Sequence, residues 1–136
     1  MAHTPPAPTY TPIAKALHWL TVFFVFPLFA VGLIMSDRAE RNLFDATTNQ
    51  MYAMHKLMGF TLLWLIVARI VYKLVKGSPP SVPTLTPLER IASASTHHLL
   101  YVLLLLVPLL GWAGVSAFPA LSIFDAFSLP AILSPN

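Results

Sequence analysis

The chain of 136 residues contains no cysteine, and only 10% of its residues carry a charge. The missing thiols exclude disulfides, iron–sulfur clusters and any thiolate-held metal. A chain in which 57% of the residues are apolar and the mean hydropathy is +0.72 has too few polar groups to coat a water-soluble globule. The composition therefore predicts a membrane protein.

The balance of charge is basic, with eight Lys and Arg against five Asp and Glu and a net charge of +3. These basic residues lie singly beside apolar stretches and form no continuous stripe. We therefore predict that nucleic acid is not a partner and that the lipid bilayer is.

Three apolar stretches predict three transmembrane helices, at about residues 15–35, 52–75 and 91–115. Each is long enough to cross about 30 Å of hydrocarbon at 1.5 Å per residue. Residues 116–136 are also apolar but are broken by prolines into pieces too short to cross, which predicts a re-entrant or interfacial segment on the external side. The class predicted is all-α, a membrane helical bundle.

Two local signals refine this prediction. The first stretch could be read as a signal peptide, but it is longer than a typical apolar core of such peptides and contains His18 and Pro27. The sequence TPLER predicts the start of the third helix, with Thr86 as its cap and Glu89 three residues later.

Basic residues near the span ends predict a cytoplasmic N-terminus and an external C-terminus; they are Lys15, Lys73, Lys76 and Arg90.

Histidine occurs near one end of each predicted helix, as His18, His55 and the pair His97 and His98. A single histidine at a membrane surface is often only a hydrated polar group, but three such positions in three helices indicate a functional site. The spans contain no carboxylates, which disfavours hydrated divalent metals and proton pumping. Haem suits these residues better, because its iron takes imidazole ligands and its ring is apolar.

Two further residues fit a haem site. Gly59 lies one turn from His55 on the same helix face and would let a flat ring approach the backbone. Arg69 lies fourteen residues beyond His55, or about 21 Å along a helix, which places it level with His18. There its guanidinium would pair with a haem carboxylate, or it would simply extend to the membrane surface.

Several motifs together resemble the bacterial cytochrome b561 family of four-helix, two-haem membrane cytochromes. They are IAKALHWL, HKLMGFTLLWLIVARIVYKL, a proline-rich loop and STHHLLYVLLLLVPLLGW, and the resemblance runs from Tyr10 to Leu133. It implies that His18 and His55 bind haem iron and that His97 matches the family's third-helix histidine, with His98 as an additional residue. The implied cofactor is haem b, with two copies in the complete family fold.

The resemblance also implies a function. It predicts a multi-pass protein of the bacterial inner membrane that relays electrons between quinol or quinone and a partner acceptor in respiratory electron transport. Superoxide oxidation, and service as the cytochrome subunit of a hydrogenase or dehydrogenase, both occur among such proteins. The sequence leaves open whether this chain is an electron carrier or an oxidoreductase subunit.

One departure from the family pattern affects this prediction. The family's fourth helix supplies the second axial histidine to each haem, and the sequence stops at LPAILSPN, before that helix. We expect truncation, and the alternatives are a partner subunit that supplies the helix, five-coordinate haem, or pairing of His18 with His97 or His98. A haem-free membrane scaffold is the competing function; a transporter fragment is disfavoured because no internal repeat is visible.

Overall fold

The computed structural model describes residues 2–135, which form three long helices followed by a small hairpin. The elements are α1 (Pro12–Glu40), α2 (Ala46–Lys76), α3 (Pro87–Ala117), β1 (Ser122–Ile123) and β2 (Phe127–Ser128). All three helices are long and apolar enough to cross a membrane. The prediction of an all-α membrane bundle with three spans is confirmed, and each helix extends beyond its predicted apolar stretch.

Each helix begins at a side chain that accepts a hydrogen bond from the first turn. Thr11 caps α1, Asp45 caps α2 and Thr86 caps α3. The predicted start at Thr86 is confirmed in detail, because Glu89 completes a reciprocal capping box. These caps satisfy backbone N–H groups that have no partner within the helix.

The second helix lies between the other two. α2 packs against both α1 and α3, whereas α1 and α3 do not approach each other closely anywhere in residues 2–135. We call one extremity of the bundle the His18 end, where α1 and α3 begin and α2 finishes. The opposite extremity, where α2 begins and the hairpin lies, is the His55 end.

The packed interior is small and centred on α2. Ile66 is fully buried, and Leu28 of α1 and Leu62 of α2 are nearly so. The outward apolar side chains stay exposed, as Phe23 and Leu106 illustrate. Burial inside a bilayer gains little from the hydrophobic effect, because lipid tails are as apolar as leucine, so van der Waals packing and polar contacts must hold the helices together.

A polar cluster joins α1 to α2 at the His55 end. Arg38 donates from Nε to Thr48 Oγ1 at 2.6 Å and from Nη2 to Asp45 Oδ2 at 2.7 Å. Thr48 is fully buried, and its backbone N–H also donates to Asp45. This backbone hydrogen bond, followed by the bond from Arg38, lowers the pKa of Asp45 to about 2. The cap therefore stays ionised at neutral pH.

Residues 118–135 fold back onto the His55 end. β1 and β2 pair antiparallel, with Ser122 opposite Ser128, and β1 packs against α2. Ile123, in β1 itself, is fully buried. The ammonium of Lys56 in α2 donates to the backbone carbonyls of Ala120, at 2.9 Å, and of Ser122.

The third helix holds the remainder of this segment. Trp112 Nε1 donates to the carbonyl of Pro130 at 2.7 Å, and Ser116 Oγ accepts from the backbone N–H of Ile132 at 3.2 Å. The Trp112 ring also meets Phe60 of α2 edge to face, with centroids 5.0 Å apart. The segment therefore bridges α2 and α3.

We expect Lys56→Met to release the hairpin. The substitution removes two charge-assisted hydrogen bonds in a partly exposed setting, worth together about 1–2 kcal/mol, so the detached population should rise about tenfold. Limited proteolysis with chymotrypsin, which cleaves after the exposed Phe124 and Phe127, measures this release. Lys76→Met removes the same charge elsewhere in α2 and should leave the cleavage rate unchanged; equal rates for both variants would contradict the assignment.

Candidate functional site

Histidines from two helices meet in one cavity at the His18 end. The cavity has a volume of about 290 Å³, and His18 of α1 and His97 of α3 both lie in its wall. Arg69 and Tyr101 complete the side formed by α2 and α3. The wall contains basic and aromatic side chains and no carboxylate, so the space suits an apolar molecule that carries negative charge.

Arg69 lies at the level of His18, as its spacing from His55 predicts. Its Nη2 is 3.0 Å from His18 Nδ1. A guanidinium can only donate, so His18 Nδ1 accepts this hydrogen bond and neutral His18 carries its proton on Nε2. The Arg69 guanidinium also lies 5.4 Å from the centre of the Tyr101 ring, within the range of a cation–π contact.

The two adjacent histidines of α3 face different spaces. His97 lines the cavity with His18, whereas His98 lines a second groove on the outside of α2 and α3. The Nδ1 atoms donate to backbone carbonyls one turn earlier, His97 to Ser93 at 2.7 Å and His98 to Ala94 at 2.8 Å. In the neutral side chains each Nε2 therefore keeps its lone pair. An imidazole that binds a metal through Nε2 needs this tautomer.

His55 lies at the other end, half-buried between α2 and α1. Its Nδ1 is buried and has no hydrogen-bond partner among the described residues. Gly32 of α1 makes room for the ring, because a Cβ there would lie 3.3 Å from His55 Cε1. A buried imidazole nitrogen without a partner is costly, and binding a further group is one way in which proteins offset that cost.

Gly32 is a residue that sequence reasoning missed, and Gly59 is the one it singled out. A Cβ on Gly59 would meet nothing within 4 Å, so the space beside it is open. The pairing of Gly32 with His55 depends on how α1 and α2 are rotated against each other, and no local sequence motif signals it. Together the two glycines leave one face of His55 closely packed and the helix surface beside it free.

The chemistry of these residues fits haem. Imidazoles near both ends of the bundle, an apolar space and Arg69 beside His18 are the groups that a charged porphyrin requires. Groups of three or more His, Cys, Asp or Glu side chains able to hold a metal ion do not occur within residues 2–135. The arrangement defines the class, a multi-pass helical membrane protein with histidines near both ends of its bundle.

Comparison with known proteins identifies the family. The family model of prokaryotic cytochrome b561 matches residues 9–133 of this sequence, and the chain belongs to this family. It is 29% identical to cytochrome b561 homolog 2 of Escherichia coli (strain K12) over 135 residues, which cover 98% of the chain and 70% of that protein. It is 33% identical to cytochrome b562 of Cereibacter sphaeroides over 119 residues, 83% of the chain and 72% of that relative. No solved structure matches the chain.

Family membership gives the coarse function. The chain is a membrane b-type cytochrome that takes part in electron transfer, and the family implies haem b as its cofactor. Three spanning helices make it a multi-pass membrane protein embedded in a lipid bilayer.

We expect a large side chain at Gly32 to displace His55. Gly32→Leu should lower the free energy of unfolding by about 1–3 kcal/mol, because the added atoms would overlap the imidazole. Thermal unfolding in detergent micelles measures the change. Gly111→Leu in α3 is the control, since a Cβ at Gly111 meets nothing within 4 Å. Similar melting temperatures for the two variants would show that Gly32 is not a packing constraint.

Proposed function

We propose that this membrane cytochrome relays single electrons between quinol or quinone and a partner acceptor, with haem b held near each end of the bundle. His18 and His55 are the proposed iron ligands, on different helices and at opposite ends. When bound, haem b supplies reversible one-electron chemistry. The observation that carries the proposal is the cavity shared by His18, His97 and Arg69, which contains imidazoles and a cation and lacks an acid.

The surrounding residues have separate roles in this proposal. Arg69, which contacts His18 Nδ1 in this structure, would pair with a haem carboxylate, and His18 would then be free to take the Nδ1–H tautomer that a ligand through Nε2 needs. Gly59, which has open space beside it, would leave room for the ring next to His55. Gly32 fixes the position of the His55 imidazole from the α1 side.

The second ligand at the His18 end has two candidate sources. His97 shares the cavity with His18 and keeps its Nε2 lone pair, whereas His98 faces the outer groove. The alternative is an imidazole on a partner subunit's helix, placed in the gap that α1 and α3 leave between them. We propose His97 over His98 for any ligand that comes from α3.

The donor and the setting complete the proposal. We propose that the His18 end lies at the cytoplasmic face of a bacterial inner membrane, which the basic residues near that end favour. Superoxide as the electron donor, with quinone as the acceptor, is a variant favoured by the cationic wall of the cavity, because superoxide is an anion. The competing function is a haem-free scaffold whose helices pack against a partner.

Visible spectroscopy of the purified chain tests the proposal. Reduced-minus-oxidised spectra should show b-type bands that weaken in His18→Ala and in His55→Ala, because each substitution removes an iron ligand. His98→Ala is the control, since His98 lies outside the cavity. Folded wild-type protein without these bands, from cells that supply haem, would support the scaffold. Loss of bands in His97→Ala favours His97 as a ligand, and retention favours a partner's imidazole.

Redox titration tests the role of Arg69. A positive charge beside the cofactor stabilises the form that carries the extra electron, so Arg69→Gln should lower the midpoint potential by an amount on the order of tens of millivolts. Lys76→Gln removes a charge from the same helix end but outside the cavity wall and should cause little change. Equal potentials in Arg69→Gln and wild type would mean that the guanidinium only reaches the membrane surface.

A further inference from the structure

A second groove lies on the outer face of the bundle near the His18 end. It has a volume of about 210 Å³ and runs between α2 and α3. Its walls are formed by Ile70, Lys73, Leu74, His98, Tyr101 and Val102. Lys73 also lines the inner cavity, whereas electron transfer as proposed above gives no role to His98 or to this groove.

The polar wall of the groove is cationic. The Lys73 ammonium lies 4.7 Å from the centre of the Tyr101 ring and forms no ion pair with any residue in the described part of the chain. His98 is exposed, and its Nδ1–H donates to the carbonyl of Ala94, which leaves Nε2 without a proton in the neutral side chain. No Asp or Glu lines the groove, so nothing within it neutralises Lys73.

The remaining walls are apolar and unpacked. Leu74 is 80% exposed and Val102 is 56% exposed, on helices that span the membrane. In a bilayer these side chains must face lipid tails, while Lys73 and His98 lie toward a helix end, where headgroups begin. The groove therefore presents one cation, Lys73, beside an apolar strip.

We propose that this groove binds one anionic phospholipid of the surrounding bilayer. The phosphate contacts the Lys73 ammonium, and an acyl chain lies along Leu74 and Val102. Basic pockets between membrane helices recognise lipid headgroups in this way. A free phosphate would gain nothing from the apolar walls. The inference goes beyond electron transfer and does not depend on haem.

Native mass spectrometry tests the lipid site on the full chain released from detergent micelles that contain phosphatidylglycerol or phosphatidylcholine. We expect one retained phosphatidylglycerol and no equivalent retention of phosphatidylcholine. Lys73→Met should weaken retention about fivefold, since it removes the cation near the headgroup. Val102→Trp should abolish retention by filling the groove.

Lys76→Met is the matched control, because Lys76 carries the same charge in α2 but does not line the groove. Equal losses in Lys73→Met and Lys76→Met, or equal retention of both lipids, would overturn the site. Displacement of the lipid by millimolar inorganic phosphate would overturn the lipid as its occupant. Visible spectra of the same samples separate the two proposals. Retained lipid without b-type bands contradicts only the haem assignment. The b-type bands without selective retention of phosphatidylglycerol contradict only the lipid site.

Discussion

Hydrocarbon offers no hydrogen-bond partners, and this constraint shapes every level of the structure. Backbone N–H and C=O groups must therefore hydrogen-bond to one another, which favours long helices. The first turns of these helices are capped by the side chains of Thr11, Asp45 and Thr86. Apolar packing adds little specificity in lipid, so the few polar contacts determine how the helices meet. In this chain those contacts gather at the two ends, where the histidines also lie.

The position of α2 follows from these contacts. At the His55 end it is tied to α1 through Arg38 and to residues 118–135 through Lys56. At the His18 end Arg69 reaches α1, at His18, and α3, at the Tyr101 ring. Within residues 2–135, α1 and α3 each pack against α2 and not against each other, so α2 alone holds open the cavity between them.

Much of the fold could be predicted from the sequence, because spans, caps and axial positions depend on local composition and on a fixed rise per residue. The start at Thr86 and the level of Arg69 against His18 are examples that the structure confirms. What could not be predicted depends on helix rotation. Gly32 opposite His55, and the separation of His97 from His98 into two spaces, are settled by which face each helix turns inward. The hairpin could not be predicted for another reason. Its strands have two residues each, and the segment is held by Lys56, which is distant in sequence.

Tyr101 and Lys73 line both the inner cavity and the outer groove. These two side chains thus lie between the two spaces, and a change in the position of either would alter both. Occupancies that share a movable wall are thermodynamically linked, and such linkage is reciprocal. If haem and lipid bind as proposed, the lipid composition of the leaflet would change the affinity of this end for haem, and bound haem would change the affinity for lipid.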